Sequence, residues 1–252
     1  MSGHSKWAQI KHKKAKVDAQ RGKLFTKVIR EITIAARMGG GDPDHNPRLR
    51  IAIDKAKETN MPWENIERAI KRGTGELEGV DYVETVFEGF GPEGIALLIK
   101  VLTDNKNRTA GEIRHILTRY GGHLGAPGSV AWQFEEKGII YLSKDKVSED
   151  TVLEVALQKG AEDIRDEGDT FALYCTPKDF AELKNAFQER GIEILDADIT
   201  MIPQSSIRIE DERTAERILR LVDALEENDD VQKVYANFDI PDEVLQAIAA
   251  RS

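Results

Sequence analysis

Residues 139–202 read IIYLSKDKVSEDTVLEVALQKGAEDIRDEGDTFALYCTPKDFAELKNAFQERGIEILDADITMI. Short apolar runs in this stretch alternate with two segments whose apolar residues recur at helical spacing. The pattern predicts, in order, a strand at 139–142, a helix at 149–159, strands at 161–165 and 171–175, a helix at 177–190 and a strand at 193–202. This β-α-β-β-α-β order is typical of a ferredoxin-like α+β unit.

The flanking sequence contains the parts of a second α+β unit. Before the stretch we predict strands at 83–87, 95–102 and 130–134 with a helix at 109–120, and after it a helix at 214–226 and a strand at 231–238. The earlier set lacks the second helix and the last strand of a complete unit, and the later helix and strand supply them. We therefore predict a discontinuous domain of residues 79–137 plus 204–240, an inserted domain of residues 138–203, and a C-terminal helix in residues 241–252.

Apolar residues before Gly75 follow a helical period instead. One stripe ends at the glycines of 39–41, and two more helices are predicted to start at Pro47 and Pro62. The stripe consists of Phe25, Val28, Ile29, Ile32, Ala35 and Ala36. Residues 1–78 are thus predicted to form a basic arm and a three-helix domain. The fold class is α+β, with a small N-terminal helical bundle and two ferredoxin-like domains, the third inserted in the second.

Charge is divided unevenly along the chain. The first thirty residues hold nine Lys or Arg and one acid, Asp18, although the whole protein has a net charge of −9. Residues 1–75 hold seventeen basic and eight acidic residues, and the rest holds nineteen and thirty-seven, so the two parts carry +9 and −18. Because the local field decides whether polyphosphate is attracted, the basic part indicates a nucleic-acid partner.

The candidate nucleic-acid-binding residues lie in two places. Spacings of 4, 3 and 7 put the cations of the first helix in one row opposite its apolar stripe, and a polar loop precedes the helix predicted at 109–120. The residues are Lys6, Lys11, Lys13, Lys14, Lys16, Arg21, Lys23, Lys27, Arg30, Arg37, Asn105, Asn107 and Arg108. Contacts of this kind make binding salt-dependent without sequence preference. The alternatives are a solvated helix face for the cations and an Asx-rich turn, with Thr109 as N-cap, for the loop.

Other motifs do not indicate catalysis. The glycines of residues 89–94 match G-x-G-x-x-G, but a strand follows them where a dinucleotide site needs a helix, so we predict a hairpin connection. Cys175 lies in an apolar strand and is interpreted as a small buried side chain. The acids at 135–136 and 226–230 are interpreted as solvated faces or turns, and His4 and His12 lack metal-ligand spacing. We predict a cytoplasmic, non-enzymatic protein with no catalytic residue, no metal and no cofactor.

Residues 3–32, GHSKWAQIKHKKAKVDAQRGKLFTKVIREI, closely resemble the N-terminus of the YebC/PmpR family. Further similar blocks are GGGDPDHNPRLRIAIDKAK at 39–57, NMPWENIERAIKRGTG at 60–75 and FEGFGPEGIALLIKVLTDNKNRTAGEIRHILTRYGGHLGAPGSVAWQFEEKG at 87–138. The resemblance implies one helical and two α+β domains with a cleft between lobes. It also implies nucleic-acid binding, since some members are described as promoter-binding transcriptional regulators and others as ribosome-associated factors.

Three functional hypotheses follow. The first is a DNA-binding transcriptional regulator. The alternative is a ribosome-associated translation factor that binds rRNA and assists translation of difficult sequences such as proline runs, because the −18 body opposes lying along a duplex. The third is an interaction scaffold that dimerises through sheet edges. Nucleic acid, and in the second hypothesis the ribosome, are the expected partners; a membrane and a small-molecule substrate are not.

Overall fold

The structure is a computed structural model and describes residues 17–251. The helices are α1 (Val17–Gly39), α2 (Pro47–Glu58), α3 (Trp63–Thr74), α4 (Lys106–Arg119), α5 (Glu149–Gln158), α6 (Phe180–Glu189), α7 (Glu212–Glu226) and α8 (Asp242–Arg251). The strands are β1 (Val83–Phe90), β2 (Ala96–Thr103), β3 (His123–Leu124), β4 (Phe134–Ser143), β5 (Ala161–Asp166), β6 (Thr170–Cys175), β7 (Ile194–Pro203), β8 (Ile207–Arg208), β9 (Val231–Ala236) and β10 (Phe238–Asp239). The predicted mixture of an N-terminal helical region and antiparallel sheets is confirmed.

Helices α1, α2 and α3 form the helical lobe. The side chain of Asn46 caps α2 by accepting from the Leu49 N–H, and Pro47 occupies the first turn, where no amide donor is needed. Gly73 allows α3 to approach α1 closely, because a Cβ at this position would lie 2.4 Å from the Thr33 carbonyl oxygen. The predicted apolar stripe of α1 packs against Leu49 and Ile66 in one core.

The first sheet has the strand order β3-β1-β2-β9 and is antiparallel throughout. Strand β9 thus joins strands from more than one hundred residues earlier. One face of this sheet packs against α4 and α7 through buried residues that include Ile99, Ile113, Leu117, Ile218 and Val234. The opposite face carries Glu84, Glu88, Lys100 and Tyr235, as the alternation along the strands requires.

The second sheet has the order β5-β6-β4-β7, again antiparallel, and α5 and α6 cover one of its faces. Its chain order is the ferredoxin-like order predicted from residues 139–202. The first sheet differs in chain order, because β1 and β2 form a hairpin and α4 follows β2 rather than β1. The predicted hairpin connection at residues 89–94 is confirmed by the pairing of Phe90 with Ala96.

The prediction of a strand at 130–134 is wrong. Residues Ala131–Gln133 form a 3-10 turn, and β4 begins at Phe134. The reason is a long-range contact: the Glu88 carboxylate accepts hydrogen bonds from the Val130 and Ala131 amides, which turns the backbone there. Strand β4 crosses the boundary placed at residue 138, and the division into domains stays a prediction. In residues 17–251, no helix combines the length and the apolar character needed to cross a membrane.

Candidate nucleic-acid interface

Part of the predicted basic surface lies outside the described residues. This applies to Lys6, Lys11, Lys13, Lys14 and Lys16, and to the side chain of Arg21. The other predicted residues divide between α1 and the first turn of α4. Their contacts decide which of them are available to a ligand.

Three of the four remaining α1 cations contact the α+β body. The Lys27 ammonium donates to the carbonyl oxygen of Glu226 at 2.5 Å. Arg37 pairs with the Asp81 carboxylate at 2.8 Å. Arg30 reaches further into the body and donates to the carbonyl oxygens of Asp229 and Leu102 at 2.7 and 3.2 Å. The row of cations predicted on α1 therefore lies, for these residues, along the contact between the helical lobe and the first sheet.

Asp230 is the centre of this contact. Its side chain is 4 % exposed, and it accepts hydrogen bonds from Arg30 Nη1 at 2.5 Å and from Arg108 Nη2 at 2.8 Å. The hydroxyls of Thr109 and Thr103 add bonds of 2.5 and 3.1 Å. Burial opposes ionisation of Asp230, but the bonds from Arg108, Thr109 and Arg30 hold its pKa below the ordinary value. One buried carboxylate thus joins α1, the start of α4 and the turn before β9.

The polar loop before α4 is mostly part of a helix start. Asn105 is the N-cap, since its side-chain oxygen accepts from the Arg108 N–H at 3.1 Å, so the prediction that Thr109 is the N-cap is wrong. Thr109 is buried instead and faces Asp230. Asn107 is exposed in the first turn of α4. Hydrogen bonds to Asp230 and Asp104 raise the pKa of the Arg108 guanidinium, which is thereby fixed in its ionised form.

A second ionic contact joins the helical lobe to the first sheet. Arg48 of α2 donates to Glu31 at 2.7 Å and to Glu84 of β1 at 3.0 Å, and Glu84 also pairs with Lys100 at 2.8 Å. No local sequence pattern indicates this pairing or the Asp230 contact, because both join residues that are far apart in the chain.

A groove of about 370 Å³ brings Lys23, Arg30 and Arg108 together. Its other lining residues are Glu112, Glu227, Asn228, Asp229 and Asp230. Four carboxylates therefore face three cations, and the groove is not predominantly positive. A groove with this balance of charges does not attract polyphosphate.

Two exposed lysines of the described helical lobe lie near Lys27, and the first of them, Lys23, lines the groove. Lys23 and Lys55 are exposed, and within residues 22–251 neither has a carboxylate within ion-pair distance. Burial is the main reason why the pKa of Lys27 is lowered; the nearby ammonium groups of Lys55 and Lys23 add to it, and Glu226 and Asp229 oppose it. Lys23 and Lys27 of α1 and Lys55 of α2 are thus close enough for their charges to interact.

Cys175 is buried, and burial raises the pKa of its thiol to about 11. Its Sγ lies 3.7 Å from the Gly138 carbonyl oxygen. In the part of the chain that the structure describes, no three His, Cys, Asp or Glu side chains are grouped to hold a metal ion.

Two family models match the chain. The model described as "TACO1/YebC protein N-terminal domain" matches residues 5–76, and the one described as "TACO1/YebC second and third domain" matches residues 82–238. The protein belongs to the TACO1/YebC family. The resemblance seen in the sequence blocks is thereby confirmed.

Several relatives in the TACO1/YebC family match over nearly their whole length. The chain is 57 % identical to a protein of Persephonella marina, covering 99 % of this chain and all of the relative, and 58 % identical to one of Syntrophobacter fumaroxidans with the same coverage. Both relatives carry the name "Probable transcriptional regulatory protein". The crystal structure of a conserved hypothetical protein from Aquifex aeolicus is similar with a TM-score of 0.81 at 53 % identity, covering 95 % of this chain and 99 % of the other. This TACO1/YebC protein is thus a member of a family of regulatory proteins.

Proposed function

We propose that this TACO1/YebC protein is a DNA-binding transcriptional regulator that acts without catalysis. The basic arm, together with the exposed Lys23 and Lys55, holds the phosphate backbone. The single observation that carries the proposal is the division of charge, with +9 on residues 1–75 and −18 on the rest. The names of the relatives support the regulatory part of the proposal.

The contacts of α1 narrow the proposed interface. Since Lys27, Arg30 and Arg37 contact the body, phosphate contacts fall mainly to the arm residues Lys11, Lys13, Lys14 and Lys16, together with the exposed Lys23 and Lys55. Each neutralised phosphate releases condensed counterions, so the affinity depends steeply on salt. Sequence preference would need separate base contacts.

The test is a salt titration of binding to a labelled duplex by fluorescence anisotropy. Replacing Lys11, Lys13, Lys14 and Lys16 with Ala should reduce the slope of log K against log salt by about 0.9 for each lost contact, or roughly 3 to 4 in total. The matched control replaces four lysines of the α+β body, Lys144, Lys159, Lys178 and Lys184, which changes the net charge equally. An unchanged slope in the arm variant, or an equal change in the control, would remove the arm from the mechanism.

A second candidate function is binding to ribosomal RNA as a translation factor, which the net charge of −18 on residues 76–252 favours. Such a body is repelled along a duplex but fits beside basic proteins in a ribonucleoprotein. Crosslinking in cells followed by sequencing of the bound nucleic acid separates the two functions. Recovery of a few promoters supports the regulator, whereas recovery of rRNA overturns it in favour of the translation factor.

A further inference from the structure

Residues 125–132, GAPGSVAW, follow β3 and form an uncharged surface loop. No residue in this stretch is Asp, Glu, Lys or Arg, although 32 % of the chain is charged. Ala126, Pro127, Gly128 and Trp132 are exposed. The loop therefore differs in chemistry from the surface around it.

A buried carboxylate fixes the loop in place. Glu88 of β1 is 9 % exposed and accepts hydrogen bonds from the amides of Gly128, Val130 and Ala131 at 2.6, 2.7 and 2.8 Å. Burial opposes the ionisation of Glu88, yet these amides bring its pKa below the ordinary value. Charge-assisted bonds of this kind are stronger than neutral ones, so the loop is rigid before it meets a partner.

The end of the loop is held as well. The Gln133 carbonyl oxygen accepts from the Gln204 N–H at 2.8 Å, and its side-chain oxygen lies 3.3 Å from Asn237 Nδ2. Asn237 is itself buried and accepts from the Ala96 N–H at 2.7 Å. At the start of the loop the Gly125 N–H donates to the Glu88 carbonyl oxygen at 2.8 Å. The loop is therefore tied to the first sheet near both of its ends.

Trp132 is presented on this rigid loop. The residue is 69 % exposed, and its indole N–H donates to the Ser129 carbonyl oxygen at 3.1 Å. With the indole N–H already bonded, the exposed part of the side chain offers the aromatic ring. Exposed tryptophans are uncommon on soluble proteins unless they bind something, and a preorganised aromatic side chain is a typical interface anchor.

The charges that follow the loop select the partner. Glu135 and Glu136 are exposed at the start of β4. They follow Trp132 by three and four residues, so their Cα atoms lie at most about 14 Å from that of Trp132. The neighbouring Lys137 is shared by Glu135 and Glu162, at 2.8 and 2.7 Å, so two carboxylates face one ammonium, and the exposed Glu136 adds a carboxylate on the other face of the strand. This environment repels phosphate and attracts cations, and guanidinium groups stack on tryptophan better than other cations of proteins.

We propose that the loop at residues 125–132 is a docking surface for an arginine-rich segment of a partner protein. Trp132 is the anchor on which a guanidinium stacks, and Glu135 and Glu136 pair with further arginines on the two faces of β4, around the edge that residues 134–137 leave unpaired with β6. The site lies on the acidic body and does not depend on nucleic-acid binding by the arm. The α+β body would thus bind a protein partner while the arm binds nucleic acid.

The test uses the full chain and a synthetic octa-arginine peptide. Replacing Trp7 and Trp63 with Phe leaves Trp132 as the only indole, so its emission reports the binding directly. Octa-arginine should shift that emission to saturation and bind more tightly than octa-lysine. In anisotropy with labelled peptide and the natural tryptophans, W132A should weaken binding about fivefold and W132F much less, as a stacking contact at an exposed site predicts.

Charge controls separate a built site from general attraction. The double variant E135Q/E136Q should weaken octa-arginine binding severalfold, whereas E149Q/D150Q on α5, which changes the net charge equally, should have little effect. Equal effects of the two double variants, or unchanged binding in W132A, would overturn the proposal.

Two other occupants are outcomes of the same experiment. A single-stranded oligonucleotide that shifts Trp132 emission and displaces the peptide would assign the loop to nucleic acid, which also overturns the proposal. Self-association by sedimentation velocity that W132A abolishes would assign the loop to a second copy of the chain and would likewise overturn the proposal. Circular dichroism checks that the variants are folded, which the exposure of these side chains predicts.

Discussion

Replacing Asp230 with Asn removes the charge that joins the helical lobe to the α+β body. The variant keeps the size of the side chain, but its amide has one acceptor oxygen and one NH2 group in place of two acceptor oxygens. The NH2 group faces either Arg30 or the set of Arg108, Thr103 and Thr109, all of which donate to Asp230 in the parent protein. Both arginines lose their opposite charge. The result is an uncompensated cation at a buried position.

The magnitude follows from the exposure of each partner. The Arg30 side chain is 12 % exposed and is tied into the contact, so the loss of its pair should cost about 2 to 3 kcal/mol. Arg108 is 43 % exposed and keeps Asp104 at 2.7 Å, so its share is at most about 1 kcal/mol. The two hydroxyl bonds add about 1 kcal/mol. The free energy of unfolding should therefore fall by about 3 to 5 kcal/mol.

Urea unfolding followed by far-UV circular dichroism measures this loss without changing the ionic strength. Asp229→Asn is the matched control, because Asp229 is the adjacent residue, is exposed and carries the same charge. It should change the free energy of unfolding by less than about 0.5 kcal/mol. A loss below 1 kcal/mol for Asp230→Asn, or equal losses for the two variants, would refute the argument that Asp230 joins the lobes.

Two other predictions concern titratable groups. Because the folded-state pKa values of Glu88 and Asp230 lie below their ordinary values of 4.5 and 3.8, their stabilisation is complete above about pH 4.5 and is lost as the pH falls through the folded-state values. Urea unfolding at a series of pH values should show this loss, and a smaller slope for Asp230→Asn would confirm that residue's share. Cys175, with its thiol pKa raised to about 11, should not react with a thiol reagent in the native protein at pH 8 and should react fully in urea. Rapid native reaction would contradict its burial.

Most elements of the fold could be predicted from the sequence, because their signals are local. The apolar period and the flanking Gly and Pro residues placed the helices and strands, and the bounds differ from the structure by a few residues. The strand at 130–134 shows where this fails. Val130, Trp132 and Phe134 alternate as in a strand, but the contact with Glu88 bends the backbone into a turn and leaves Trp132 exposed.

The same limit applies to the candidate site. The sequence of residues 226–230 predicts a solvated face or turn, which fits the exposed Glu227 and Asp229 but not Asp230. Nothing in the local sequence distinguishes Asp230 from its neighbours. Its burial depends on Arg30, two hundred residues earlier, and on Arg108, and such a pairing becomes visible only when the lobes are assembled.

The contacts of α1 change how its cations must be tested. A variant such as Arg30→Ala removes a positive charge and also leaves Asp230 without one of its two arginines, so the helical lobe can lose its attachment to the body. Weaker nucleic-acid binding by that variant would then have two explanations. Variants of Lys23 and Lys55 have only one, since both side chains are exposed and make no ion pair in the described part of the chain. Loss of binding in these variants, with unchanged urea stability, is the result that would assign the surface around Lys23 of α1 and Lys55 of α2 to the nucleic acid.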